Sequence, residues 1–194
     1  MATHSLSVLH SFVAAFDSEP FWIGFDVHKR SYHLALLRAD GKTLTFVAPA
    51  CPEKLVDQFH HLKILIAGVV YEAGPTGFNL ARVLQAEGIS VLVAAPSKIP
   101  RSISAGAKTD RLDCLKLARF AEKGQIRPIA IPTEQEEAHR ALSRRRHQLV
   151  DSVRRCKQRI KGFLLYHGFK ETEALKYWSS GCSAQIAALP LETE

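Results

Sequence analysis

The stretch Phe21-Trp22-Ile23-Gly24-Phe25-Asp26-Val27-His28-Lys29 constrains this chain more than any other. It is apolar, aromatic and β-branched, and too short for a helix of ordinary length, so it predicts a buried strand. One carboxylate, Asp26, interrupts it. Burying a carboxylate in an apolar strand is costly unless a cation or hydrogen-bond donor compensates it. Asp26 therefore marks a place where positive charge is expected, and any carboxylate the fold brings beside it shares that need.

The elements that follow define an α/β domain. Residues 1–20 read as a leader with one short helix from Leu6 to Phe16. After the Asp26 strand, Ser31–Leu37 and Lys42–Val47 predict two further strands joined by Asp40-Gly41, a strong hairpin signal. Pro52 suits the first turn of a helix running to His61. The continuous apolar run Ile64–Tyr71 predicts a strand covered on both faces. A helix over Phe78–Glu87 ends at Gly88, and Ile89–Ala95 predicts a fifth strand. Asp110–Lys123 predicts a helix with Thr109 or Asp110 as its cap. Thr133-Glu134-Gln135-Glu136 is a capping box opening a long helix that can run to Tyr166. Three antiparallel strands and then alternating units predict a mixed sheet with flanking helices, the strand order of a ribonuclease-H-like fold.

Three further carboxylates are candidates to join Asp26. Glu72 stands at the C-terminal end of the predicted fourth strand, where open α/β sheets bind ligands. Asp110 and Asp113 lie three apart on one helix, hence on one face. Four carboxylates at one point repel one another, and hard divalent ions such as Mg²⁺ or Mn²⁺ relieve the repulsion. A pair of such ions clamps the attacking and leaving oxygens of a phosphodiester. Simpler readings stand beside this one: Asp110 suits a helix N-cap, Asp113 a favourable first-turn charge, and Glu72 the start of a loop.

Charge locates a second functional region. The formal net charge is +7, yet nine Lys or Arg and one Asp between Arg140 and Lys161 give that window +8, leaving the remainder near neutral. Leu142, Leu149, Val153, Cys156, Ile160 and Phe163 recur there at three, four or seven residues, a stripe of coiled-coil type that Arg146 interrupts. Arg144, Arg145, Arg154, Arg155, Lys157, Arg159 and Lys161 fall largely off the stripe. With so few acids to balance them, they favour phosphate contact over a merely solvated face. Lys98, Arg101 and Lys108 make the loop Ser97–Lys108 a basic approach to the acidic residues; a plain surface loop fits that segment about as well.

Four segments together resemble a known family: Gly24-Phe25-Asp26-Val27-His28-Lys29, Tyr71-Glu72-Ala73-Gly74-Pro75-Thr76-Gly77, Ala95-Pro96-Ser97-Lys98-Ile99-Pro100-Arg101 and Lys108-Thr109-Asp110-Arg111-Leu112-Asp113. In order and spacing they resemble the DEDD transposases of the insertion-sequence-110 family, whose N-terminal domain is similar to RuvC-like Holliday junction resolvases. The resemblance covers roughly residues 21–168. It implies that Asp26, Glu72, Asp110 and Asp113 form a divalent-metal site. It also implies a recombinase that acts on double-stranded DNA with a structured bridge RNA, and long helices that support dimers or tetramers. On this reading 21–132 is the RuvC-like domain, 133–168 the basic helix, and 169–194 the start of a further domain that Trp178 would need to bury against. The family's attacking serine belongs to such a domain. Ser179, Ser180 and Ser183 do not match its context, so no nucleophile is assigned, and the chain is expected to be the N-terminal half of such a recombinase.

Two alternatives remain open on the residues: a stand-alone structure-selective endonuclease, and a non-catalytic nucleic-acid-binding dimerisation module. The four cysteines at 51, 114, 156 and 182 form no C-x-x-C pair, and no apolar run is long enough to span a bilayer. A cytoplasmic protein with reduced thiols and no membrane partner is expected.

Overall fold

Alternation along the first strand sets the architecture. The computed structural model describes residues 6–15, 19–100, 110–170 and 173–190, and divides the chain into two compact units, Met1–Pro132 and Thr133–Glu194. In the first unit, β1 spans Phe21–Val27. Phe21, Ile23 and Phe25 are buried in the main core, so Trp22, Gly24 and Asp26 point to the opposite face. β2 (Ser31–Leu37) and β3 (Thr43–Pro49) follow as antiparallel neighbours. Their turn forms as the Asp-Gly pair requires: Gly41 has φ 82°, its N–H donates to the Arg38 carbonyl, and the Lys42 N–H donates to Asp40 Oδ1. Pro49 is tolerated in β3 because an edge strand loses little by lacking one donor.

The chain then crosses to the other side of β1. Helix α2 (Pro52–His61) leads to β4 (Ile66–Glu72), and α3 (Asn79–Ala86) leads to β5 (Val91–Ala94). β4 pairs parallel with β1, and β5 parallel with β4, giving the order β3-β2-β1-β4-β5. This mixed five-stranded sheet with helices on both faces is a ribonuclease-H-like α/β fold. Helix α1 (Leu6–Ala14) packs into this unit: Leu9 and Val13 join the main core, beside Leu55 and Phe59 of α2 and Leu80 and Leu84 of α3. On the opposite face, α4 (Asp110–Glu122) contributes Leu117 and Ala121 to a second cluster with Val70, Ala94 and Trp22. The unit closes where Arg82 Nη2 donates to the Pro132 carbonyl at 2.9 Å.

The second unit is built on α5 (Glu134–Tyr166). Its N-terminus is a complete capping box: Thr133 Oγ1 accepts from the Glu136 N–H, and the Thr133 N–H donates to Glu136 Oε2 at 2.8 Å. Only Leu164 of the helix is buried. It packs in a small cluster with Leu175 of α6 (Glu173–Tyr177) and Cys182 of α7 (Cys182–Ala187).

Two local expectations need correction. Asp26 is not a fully buried charge: β1 ends at Val27, and the Asp26 side chain, one residue from that end, remains 26% exposed. Trp178 finds its partner within the chain, packing on the cluster around Leu164 with Lys157 Nζ 5.2 Å above its ring. The tail is helical because two short turns can shield the end of α5, which its weak periodicity did not reveal. Among the described residues no helix is long and apolar enough to cross a membrane.

Candidate metal centre and basic helix

Asp26 and Glu72 come together through strand register. Phe25 pairs with Tyr71 across the parallel β1–β4 ladder, so Asp26 and Glu72 occupy the next two positions. Neighbouring strands lie about 4.8 Å apart, and paired positions share a face. Glu72 is the last residue of β4 and exposed, at the end where β1, β4 and β5 all terminate. The chain leaves β1 toward β2 on one side and fills β4 on the other, so this is the point at which strand order reverses, the usual ligand position of an open sheet.

Helix α4 reaches the same place because β1 carries a glycine. A Cβ on Gly24 would overlap the Cys114 carbonyl oxygen and stand 2.8 Å from the Ala118 nitrogen. The helix backbone therefore rests directly on the strand, on the face that Asp26 shares. Asp26 and Asp113 both act on the Cys114 thiol. Burial pushes that thiol up to about 12, and the two negative charges add to the effect. Asp110 is the first residue of α4, one turn before Asp113 and on the same helix face. The helix bearing the last two carboxylates thus covers the face of the sheet that holds the first two.

The described side chains are paired locally. Asp26 Oδ2 lies 3.3 Å from His28 Nε2, and Asp113 Oδ1 3.8 Å from Lys116 Nζ. Among the described residues no three His, Cys, Asp or Glu groups converge closely enough to hold a metal ion; the Asp110 side chain is outside that description. The donor chemistry nonetheless fits a hard divalent cation: Asp26, Glu72 and Asp113 offer carboxylate oxygens, and Cys114, neutral at physiological pH, offers no thiolate. Lys98 ends a short 3₁₀ turn, Pro96–Lys98, that follows β5 directly, so it sits at the strand-end edge. Arg101 and Lys108 lie outside the described residues.

On α5, Arg144, Arg145, Arg155 and Arg159 are exposed. Arg154 pairs with Asp151 at 3.0 Å, Lys157 lies over Trp178, and Lys161 is half-buried. The apolar stripe is also exposed: Leu142, Leu149, Val153 and Phe163 are each at least half exposed.

A family profile described as transposase, that of the IS110-type DEDD transposases, matches residues 23–167. The chain belongs to this family. It is 31% identical over 172 residues to "Transposase for insertion sequence element IS1533" of Leptospira borgpetersenii, covering 81% of this chain and 47% of that protein. It is 41% identical over 98 residues to "Putative transposase y4qE" of Sinorhizobium fredii (strain NBRC 101917 / NGR234), covering 50% of this chain and 25% of that protein. The chain therefore spans between a quarter and about half the length of these relatives. The IS110-family match includes the positions of all four carboxylates and every basic residue named on α5. Two residues beside the candidate site had no role assigned from the sequence. Gly24 was detectable as a glycine inside a strand, a sign of close backbone approach. His33, the cross-strand partner of Asp26 with its ring 5.2 Å from that of His28, depends on β1–β2 register and carried no local signal.

Proposed function

We propose that this chain carries the RuvC-like acidic site of an IS110-family DNA transposase or recombinase and acts on phosphodiesters with Mg²⁺ or Mn²⁺. The observation that supports it most is the adjacency of Asp26 and Glu72 at the ends of paired parallel strands, with α4 over the same face. Asp26, Glu72, Asp110 and Asp113 would hold the metal. When bound, a divalent cation supplies Lewis-acid activation of an oxygen nucleophile and stabilises charge on the phosphate. The chain's own residues do the rest. The strand ends fix two carboxylates rigidly, α4 brings the others across the face, and exposed Glu72 keeps the site open to a large substrate.

Lys98 is suited to a backbone phosphate of double-stranded DNA at that edge, with Arg101 and Lys108 following it in sequence. On α5, Arg144, Arg145, Arg154, Arg155, Lys157, Arg159 and Lys161 contact phosphates of DNA or of a bridge RNA, positioning the strand without reading its sequence. The exposed stripe of α5 pairs copies into a dimer or tetramer. The reading is tested by Mn²⁺ titration followed by electron paramagnetic resonance, comparing the intact chain with Asp26→Ala and Glu72→Ala. We expect Mn²⁺ binding that each substitution weakens by tenfold or more. Absence of binding at millimolar Mn²⁺ would sink the reading.

The adjacency of Asp26 and Glu72 also fits a second reading, a structure-selective endonuclease of the Holliday junction resolvase type, since an acidic site of this kind can hydrolyse a junction by itself. Metal-dependent cutting of a four-way junction, abolished by Asp26→Ala, would select it.

A further inference from the structure

The second unit contains a cavity of about 270 Å³ at the C-terminal end of α5. Its walls include Leu164, Leu165, Phe169 and Leu175. Its polar lining is Gln158, Lys161 and Lys170, with no acidic side chain among the described residues. Its remaining lining residue is Gly162.

Gly162 is the unexpected member. It lies inside a 33-residue α-helix, where glycine weakens the helix relative to alanine. Neither usual justification applies. It has no left-handed φ, and a Cβ built on it meets nothing within 4 Å. The residue is required by neither backbone conformation nor close packing, and the side chain it lacks leaves open space beside the cavity.

We infer that this cavity receives the base of an unpaired nucleotide, with the flanking phosphates on Lys161 and Lys170. Three observations favour that occupant. An apolar wall bearing the Phe169 ring suits the flat face of a base, and aromatic contact of this kind holds single strands without a fixed sequence. The Gln158 amide can both donate to and accept from a base edge. The adjoining stretch of α5, residues 140–161, carries +8, which draws a polyanion to the cavity mouth. A paired base is stacked within its duplex and must be extruded at a cost, so single strands and loops are the preferred ligands. This inference rests on the proposed phosphate contacts of α5 and adds to them a pocket that tells unpaired from paired strands.

The test uses the full chain and Gly162→Leu, which fills the space and should strengthen the helix, so lost binding cannot be blamed on unfolding. Fluorescence anisotropy is measured with single-stranded RNA, single-stranded DNA and duplex DNA across a salt series. We expect Gly162→Leu to weaken single-strand binding about tenfold, with duplex binding and the salt slope unchanged. Comparing the RNA and DNA arms shows which strand the pocket prefers. We also expect 4-thiouridine RNA to photocrosslink to the peptide containing Phe169, and Gly162→Leu to remove that crosslink. Equal single-strand affinity in both proteins with no crosslink overturns the pocket while leaving the α5 contacts intact. A change in oligomeric mass without a change in single-strand preference also overturns it, making the cavity an interface between copies. If the intact chain binds no nucleic acid, the pocket and the α5 reading fall together.

Discussion

Gly24 of β1 and Cys114 of α4 meet backbone to backbone, with no room for a Cβ between strand and helix. That contact determines how far the Asp113 helix stands from the Asp26 strand. Gly24→Ala places a methyl group against main-chain atoms that cannot rotate away. We expect it to destabilise the first unit by about 1–3 kcal/mol, the usual cost of overpacking, and to weaken Mn²⁺ binding as α4 lifts. Urea denaturation beside the Mn²⁺ titration checks both; wild-type stability with unaltered metal affinity would show that the contact is slack.

Cys114 offers a pH-dependent probe of the same region. Its thiol is pushed up to about 12 in the folded chain, above its ordinary value near 9, chiefly by burial. A raised folded-state value favours the neutral thiol. Its contribution to stability is therefore complete below about pH 9 and is lost as pH rises toward 12. Wild type should lose stability over that window faster than Cys114→Ala, measured by denaturant midpoint. At pH 8 a thiol reagent should modify exposed Cys156 quickly and Cys114 only on unfolding.

The capping box predicts a helix-specific effect. Hydrogen bonds from Thr133 hold the Glu136 carboxyl below its ordinary range. A lowered folded-state value means that its contribution is present at neutral pH and is lost as the solution is acidified through that value. Thr133→Ala should cost α5 about 1 kcal/mol and flatten the acid dependence of its unfolding. Circular dichroism at 222 nm during acid titration reads both.

The exposed stripe predicts an assembly defect. Val153→Asp and Ile160→Asp place charges on the exposed apolar face of α5, within the second unit. If the stripe joins copies, each variant should sediment as a smaller species than wild type while retaining the metal affinity of the acidic site. Identical sedimentation profiles would remove the stripe from the assembly.

Much of this was legible in the residues. Ser31–Leu37 and Pro52–His61 form the elements their patterns predict, and the capping box opens α5 where Thr133 places it. These features are local: alternation, a proline in a first turn, a reciprocal hydrogen bond. Other boundaries were harder. The apolar run predicted a strand from Ile64, yet β4 starts at Ile66, because Lys63 turns the chain with φ 51° just before it. A hydrophobicity pattern shows neither a left-handed residue nor a contact between distant segments. The same limit hid the partner of Trp178, which lies twenty-one residues away at Lys157.

By itself the sequence determined the strands of the sheet and the helices before the tail, the placement of a charge near the end of an apolar strand, and the concentration of positive charge on one helix. These follow from side-chain chemistry and periodicity, which act over a few residues. Only the tertiary structure decided that α4 covers the face shared by Asp26 and Glu72, that it rests on β1 at Gly24, and that a helix glycine borders a cavity. Those outcomes depend on register and close approach between segments distant along the chain, where atomic packing rather than local preference selects the arrangement.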